Sequence, residues 1–90
     1  MVRYNYHNLK DKTKIPDDCT VFHCNNNELT ALPELSTTLK VLYCYDNNIK
    51  YLSPNNCEVM KKCERVLVLN NPFSANFTDD KDFKESLMNL

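Results

Sequence analysis

The sequence predicts an α/β solenoid, a short and curved parallel sheet of about four strands with a capping helix at its C-terminal end. Three observations lead to this fold. Two segments, CTVFHCNNNELTAL and LKVLYCYDNNIKYL, spell one pattern at a distance of 20 residues, from Cys19 to Leu39. An asparagine follows each apolar strand pattern at the same position. The last segment of the chain instead has the periodicity of a helix.

The two segments share the pattern LxxLxCxxNxLxxL, with cysteine or phenylalanine in some leucine positions. A chain of 90 residues suits one domain. We divide it into repeats of about 1–18, 19–38, 39–62 and 63–77 and a cap helix of about 78–90. The matched pairs are Cys19 with Leu39, Phe22 with Leu42, Cys24 with Cys44, Asn27 with Asn47, Leu29 with Ile49, and Leu32 with Leu52.

The pattern extends in both directions from these two repeats. Twenty residues before Phe22 lies Val2, so a degraded first repeat is expected to have its strand at Val2–Tyr4 and His7 in the asparagine position. Forward, CERVLVLNNPF continues the pattern after a longer step of 24 residues, from Leu39 to Cys63. The strand of this fourth repeat is expected around Val66 and Val68.

Residues two apart on a strand lie on the same face, so each repeat contributes a pair of core side chains. Because one repeat cannot bury its apolar face alone, neighbouring repeats must stack. The predicted core columns are Val2, Phe22, Leu42 and Val66, and Tyr4, Cys24, Cys44 and Val68. The asparagines Asn27, Asn47 and Asn71 are predicted to point inward and to form a ladder of hydrogen bonds with the backbone of adjacent turns.

The segments that return the chain to the next strand differ. PELSTT after Leu32 contains a proline and predicts an extended segment. After Leu52, Ser53 can cap a short helix with Pro54 in its first position. Spacing places Cys57 and Met60 on the inner face of that helix.

The C-terminal segment predicts the cap helix. Thr78 is its expected N-cap, followed by acidic residues that suit a helix N-terminus. Phe83, Leu87 and Leu90 form one apolar stripe. Phe73 and Phe77 are expected to pack beneath it.

On these residues the chain resembles leucine-rich-repeat proteins. The stretch LTALPELSTTLKVLYCYDNNIKYL is similar to the short, 20-residue LPX repeats of bacterial effectors, and NNPF resembles the close of the last repeat. The composition, rich in asparagine, lysine and tyrosine, also resembles that of proteins from large DNA viruses. The resemblance implies a protein partner, such as a host protein, bound on the concave sheet face. Some effector relatives are ubiquitin ligases, but the sequence contains nothing similar to their separate catalytic domain.

Composition restricts the function further. A net charge of −1 gives no basic footprint for nucleic acid or an anionic membrane. The chain has no glycine, which excludes glycine-rich phosphate loops and leaves left-handed turns to asparagine or aspartate. The first residues lack the apolar region of a signal peptide, so we expect a cytoplasmic protein, in the host cytoplasm for a virus or effector.

Cysteine and histidine residues do not form a recognisable reactive site. The five cysteines include no CxxC pair, and two of them fall in core columns, so we expect reduced, buried thiols and no metal or other cofactor. Neither histidine has a nucleophile or an acid in a distinctive context. The sequence therefore predicts a protein that is not an enzyme.

Side chains on the other face of each strand are the candidate binding residues, because they alternate with the core. The chosen set is Arg3, His23, Tyr43, Tyr45, Asp46, Leu67 and Leu69. We expect the tyrosines and leucines to form an apolar cluster and the others its polar rim. The alternative is a structural solenoid that binds only itself, and an uncovered first strand also predicts a weak homodimer near Val2–Tyr6.

Overall fold

The computed structural model describes the backbone of residues 3–5 and both backbone and side chains of residues 17–89. The predictions for Val2, His7 and Leu90 lie outside these residues. The elements are β1 (Arg3–Asn5), β2 (Val21–His23), β3 (Val41–Tyr43), α1 (Pro54–Lys62), β4 (Arg65–Leu67), a short 3₁₀ helix (Pro72–Ser74) and α2 (Asp80–Met88).

The strands form one parallel sheet in the order β1-β2-β3-β4, so each strand lies beside the next one in the chain. Phe22 pairs with Leu42, and Leu42 pairs with Val66. These pairs confirm the predicted steps of 20 and 24 residues. The structure thus contains the open parallel sheet and the helices that the repeats predict.

The predicted position of the first strand is wrong by two residues. Tyr4, and not Val2, is opposite Phe22. The alternating apolar residues of MVRYNY explain the error, because a shift by two residues keeps the same side chains on the same face. The period-two pattern therefore does not determine the position of the strand along its neighbour.

The core lies on one side of the sheet, as the columns predict. Phe22, Leu42 and Val66 are buried, and so are Cys24, Cys44 and Val68 in the second column. Fully burying a side chain of valine, leucine or phenylalanine stabilises the fold by about 1.5–3 kcal/mol. The remaining members of the core cluster come from the returns and the cap, and they include Leu29, Leu35, Ile49, Met60, Phe83 and Leu87.

The asparagine ladder is present. The Asn47 side-chain amide donates to the carbonyl oxygens of Cys24 and Cys44, over 3.0 and 2.9 Å. Its oxygen accepts from the backbone N–H groups of Asn27 and Leu29, over 3.0 and 2.9 Å. One side chain therefore satisfies backbone groups in two successive repeats.

The neighbouring asparagines continue this arrangement. Asn71 donates to the carbonyl oxygens of Cys44 and Val68, both at 2.9 Å, and accepts from the N–H of Ile49 at 3.1 Å. Asn27 donates to the carbonyl oxygen of Cys24 at 2.8 Å. The predicted ladder is confirmed for Asn47 and Asn71, while Asn27 bonds the carbonyl oxygens of its own turn.

The chain has no glycine, and other residues adopt the left-handed backbone conformation at its turns. Asn26, Asp46 and Asn70 have φ of 62°, 58° and 61° at equivalent places in three repeats. Glu28, at 59°, is an exception to the expectation that only asparagine or aspartate adopts this conformation. Its two neighbours in the chain both donate to the Asn47 side-chain oxygen, which holds the backbone of Glu28 in place.

Helix α1 begins as predicted, with Ser53 accepting from the N–H of Asn56 at 3.1 Å and Pro54 in the first turn. Its inner face differs from the prediction, since Cys57 is only half-buried while Asn56 and Met60 are buried. The Asn56 side chain accepts from the N–H of Leu35 and donates to a carbonyl of the preceding return. Those bonds rotate the helix so that Asn56 faces inward.

Helix α2 covers the last strand, but its N-cap is Asp79 and not the predicted Thr78. The Asp79 carboxylate accepts from the N–H of Asp82 at 2.7 Å, a stronger cap than a hydroxyl provides. Phe83 packs edge to face with Phe73 and Phe77, at ring distances of 5.5 and 5.3 Å, as expected.

Two side chains end the stack of strands. The N–H of Cys44 donates to the carbonyl of Leu67 on the next strand, whereas the N–H of Val68 donates to the Asp80 carboxylate at 2.7 Å. The Ser74 hydroxyl donates to the carbonyl of Val68 at 2.8 Å, where another asparagine would otherwise donate. Asp80 and Ser74 therefore substitute for the next repeat.

Lys84 joins the cap to helix α1. Its ammonium donates to three carbonyl oxygens at the C-terminal end of that helix, those of Met60, Lys61 and Cys63. This end of a helix carries partial negative charge, which favours a cation there. Burial lowers the pKa of the Lys84 ammonium.

The ladder makes a prediction for stability. Replacing Asn47→Ala is expected to destabilise the protein by about 1–3 kcal/mol, because buried backbone groups lose their hydrogen bonds. Urea denaturation measures this change. Asn48→Ala is the matched control, since Asn48 is exposed and next to it in the chain. Equal denaturation midpoints for the two variants would show that the ladder does not support the fold.

Lys84 makes a second prediction. Lys84→Met keeps the aliphatic stem and removes the ammonium, so three carbonyls lose a charged donor, at an expected cost of about 1–3 kcal/mol. Thermal unfolding compares this variant with Lys81→Met, which alters an exposed lysine of the same helix. The account of Lys84 fails if both variants melt together with the parent.

Candidate interaction face of the parallel sheet

The outer side of the sheet is formed by residues that alternate with the core. Along β3 the residues are half-buried, buried and half-buried, so Val41 and Tyr43 lie opposite the core side. The strand register places His23, Tyr43 and Leu67 in one row. Tyr45 and Leu69 follow two residues later. We use the term sheet face for these side chains together with Arg65: His23, Tyr43, Tyr45, Arg65, Leu67 and Leu69.

Aromatic rings pack against one another along this sheet face. The rings of His23 and Tyr43 are stacked, with centroids 4.4 Å apart and planes 3° from parallel. The Tyr45 ring lies 6.3 Å from that of Tyr43 and is tilted by 49°. Strands about 4.8 Å apart bring such side chains into direct contact. The three rings therefore form one continuous aromatic surface.

The predicted apolar residues are less exposed than the sequence suggested. Tyr43, Tyr45, Leu67 and Leu69 are all half-buried, and the rings of Tyr43 and Tyr45 also pack against each other. Within residues 17–89, the large apolar side chains that are mostly exposed are Tyr51 and Met88. Neither residue belongs to the sheet face. The sheet face is thus a packed apolar surface and not a set of free side chains.

Arg65 belongs to this sheet face although the sequence analysis did not select it. It pairs with Val41 at the start of β4, and its guanidinium donates to the Tyr43 hydroxyl over 3.4 Å. This hydrogen bond raises the pKa of the Arg65 guanidinium. Arg65 lies two residues before Leu67, so the period of two could have identified it. Val21 occupies the same row of the sheet as Val41 and Arg65, but its side chain is buried.

The predicted polar rim is brought together only in part. Asp46 lies at the turn that follows β3, where its carboxylate accepts from the Asn70 side chain at 2.6 Å. His23 is a ring partner of Tyr43 and so belongs to the centre of the sheet face. Arg3 pairs with Val21 on the edge strand β1, and its side chain lies outside the part of the molecule that the structure describes.

An open groove of about 610 Å³ adjoins the sheet face at the turns. It begins at Leu69 and continues past Asn70 to Phe77 and Thr78. The Asn71 side chain in its wall is already bonded within the ladder. The groove is therefore lined by both polar and apolar residues, and Asn71 presents no unbonded amide to it.

The cysteines are free thiols that lie mostly in the core. Burial raises the pKa of Cys24 to about 12 and that of Cys63 to about 11, which keeps both protonated at neutral pH. Protonated thiols are poor nucleophiles and poor metal ligands. Within residues 17–89 no three histidine, cysteine or acidic side chains are grouped as metal ligands.

Comparison with protein-family models, curated proteins and solved structures finds no match for this chain. Neither helix in the described part has the length and apolar character needed to cross a membrane. A functional assignment therefore depends on the geometry of the sheet face itself.

The buried thiols predict a loss of stability at high pH. The unfolded chain releases thiol protons above about pH 8.5 while the folded chain retains them, so the free energy of unfolding falls as pH rises. Between about pH 8 and pH 10 each fully buried thiol is expected to contribute a loss of about 2 kcal/mol. Urea denaturation in reducing buffer at both pH values measures it.

Cys24→Ala is expected to reduce the loss in the free energy of unfolding between these pH values by the contribution of one buried thiol, about 2 kcal/mol. Cys57→Ala is the control, since Cys57 is half-buried and burial raises its pKa less than that of Cys24. If Cys24→Ala shows the same dependence on pH as the parent, the thiol of Cys24 is not protected by the core.

Proposed function

We propose that this chain is a non-catalytic protein-binding module that holds a partner on its sheet face. The observation that carries the proposal is the continuous surface of His23, Tyr43, Tyr45, Leu67 and Leu69 across three strands. None of these side chains is needed for the core on the opposite side. Contiguous apolar surface of this kind marks interaction sites, and tyrosine is enriched among residues that dominate binding.

The proposal includes the fold family. A strand in each repeat, the inward asparagines and the parallel register support a leucine-rich-repeat solenoid. The family resemblance implies that the sheet forms the concave side on which a partner binds. A viral or effector origin would imply that this partner is a host protein. Reduced cysteines agree with a cytoplasmic location.

Self-association is the second candidate. Strand β1 lies at the edge of the sheet, and an edge strand can pair with another chain. In this case the partner is another copy of the protein, joined at residues 3–5 rather than on the sheet face. Sedimentation over a range of concentrations separates a monomer from such a dimer.

The test of the sheet face is the double variant Tyr45→Asp with Leu69→Asp. Two carboxylates on the apolar surface are expected to weaken partner binding by tenfold or more, since about 1.4 kcal/mol corresponds to tenfold. Partners are captured with the parent from lysate, identified by mass spectrometry, and then measured as purified proteins. Tyr51→Asp is the control, because Tyr51 is 82% exposed and lies away from the sheet face.

Circular dichroism and urea denaturation establish that both variants are folded. Retained affinity in the double variant would move the binding site away from the sheet face, to the convex side or the cap helix. Concentration-dependent dimers that the double variant leaves unchanged would favour self-association through β1.

A further inference from the structure

Two cysteines lie opposite each other in the core, on the second and third strands. The register that pairs His23 with Tyr43 places the next residues, Cys24 and Cys44, side by side. The N–H of Cys24 donates to the carbonyl oxygen of Tyr43 at 2.8 Å, so the ladder continues through this pair. The Asn47 amide donates to the carbonyl oxygens of both cysteines, which places their backbones next to each other. Both side chains are fully buried.

The spacing of the two strands suits a disulfide. Neighbouring parallel strands lie about 4.8 Å apart, and a disulfide joins residues whose Cα atoms are about 4.4–6.8 Å apart. Residues opposite each other in a parallel sheet project to the same side, so rotation about the Cα–Cβ bonds can turn the two sulfurs together. Electrostatics agrees with this proximity, since the pKa of the Cys44 thiol is raised mainly by burial and further by the Cys24 thiol.

The remaining cysteines are placed differently. Cys19 and Cys63 hold the same position in their repeats, but Leu39 occupies this position in the repeat between them. Two strand spacings, about 9.6 Å, exceed the limit of about 7 Å for a bridge without movement of the backbone. The thiols of Cys19 and Cys63 donate instead to the carbonyl oxygens of Val21 and Leu39, over 3.3 and 3.6 Å. Cys57 lies on helix α1 and not in the strand ladder.

We propose that Cys24 and Cys44 are a redox-sensitive lock, in which a disulfide joins the second and third repeats after oxidised glutathione reacts with the opened chain. This inference does not depend on the proposed function of the sheet face. In the folded protein the thiols are shielded and protonated, since burial raises the pKa of Cys24 to about 12. Opening of these repeats returns both thiols to water, where the pKa of a cysteine is about 8.5 and thiolate becomes available. The core therefore determines when the pair can react.

The reaction is a thiol–disulfide exchange in two steps. The thiolate of one cysteine attacks a sulfur of oxidised glutathione, forms a mixed disulfide and releases one glutathione thiolate. The thiolate of the other cysteine then attacks the protein sulfur of this mixed disulfide and releases the second glutathione. Two protein thiols are thereby oxidised to one disulfide. One molecule of oxidised glutathione is reduced to two thiols, which take up the two protons that the cysteines release.

The expected disulfide is stabilising but readily reversed. A cross-link constrains the unfolded chain and so favours the folded state. Bridged cysteines have Cβ atoms about 3.8 Å apart, which is closer than the strand spacing, so the bond draws the strands together and is strained. A strained disulfide is reduced more readily than a relaxed one. Excess reduced glutathione is therefore expected to open the lock again.

The experiment incubates the full chain with oxidised glutathione, in native buffer and at the midpoint of urea denaturation. Remaining thiols are blocked, and trypsin then places Cys24 and Cys44 on separate peptides, residues 15–40 and 41–50. Mass spectrometry is expected to find these two peptides joined, and fragmentation distinguishes Cys24 from Cys19 within the first. The bond is expected to form at least about a hundredfold more slowly in native buffer, because the reaction requires opening of the core.

Stability of the oxidised chain is measured after urea and glutathione have been removed. Its urea midpoint is expected to exceed that of the reduced chain by about 1 M, the order of shift that a cross-link gives in a small protein. Excess reduced glutathione should reverse this shift. Cys57→Ala is the control and should retain it, whereas Cys24→Ala and Cys44→Ala should each abolish it. The peptide map of the parent identifies the bond even if a core variant does not fold.

Three results would overturn the proposal. Other cysteine pairs, or glutathione adducts alone, would show that Cys24 and Cys44 do not form the disulfide. A bond between them that lowers the urea midpoint would show that the folded sheet cannot hold it, and the two cysteines would then serve the core only. Equal rates of oxidation in native buffer and at the urea midpoint would show that the core does not control the reaction.

Discussion

The inward asparagine side chain is the interaction on which the rest of the structure depends. Each described strand has only three residues, so few backbone groups are bonded between strands. At the turn that follows, the amide of Asn47 bonds backbone groups on both its own repeat and the preceding one. These bonds keep successive turns at a fixed spacing, and the apolar columns then meet in register. A chain of 90 residues has a thin core, so each such side chain has a large share in its stability.

A stack of this kind leaves unbonded groups at its last strand, and the C-terminal segment satisfies them with side chains. Asp80 accepts from the N–H of Val68 where a following strand would, and Ser74 donates to the carbonyl of the same residue. Lys84 then attaches the cap to the C-terminal end of helix α1. The cap is therefore more than an apolar cover, since it continues the polar bonding of the repeats. This is the reason that acidic residues at the start of α2 serve the sheet as well as the helix.

The sequence was informative wherever a periodic residue has one physical role. The core columns and the asparagines could be identified because each repeat places them at the same distance from the strand. Features that depend on tertiary contacts could not be predicted. Asn56 faces inward because it bonds another return, and Glu28 is left-handed because two flanking N–H groups share one acceptor. On the sheet face, the alternation identified the tyrosines and leucines. Arg65 was missed because an exposed charged residue at the first position of a strand has an ordinary solvent-facing explanation.

The same constraint separates folding from the proposed recognition in this chain. Within residues 17–89, the polar groups of the ladder and the members of the core columns point to one side of the sheet or lie at its turns. The residues between them are therefore released from the requirements of the core, and their identity can be fitted to a partner. Here that freedom has produced a stacked histidine and tyrosine with an arginine bonded to the tyrosine, which order one another without contribution from the core. A surface ordered in advance loses less entropy on binding, so a small rigid sheet can offer useful affinity from a few side chains.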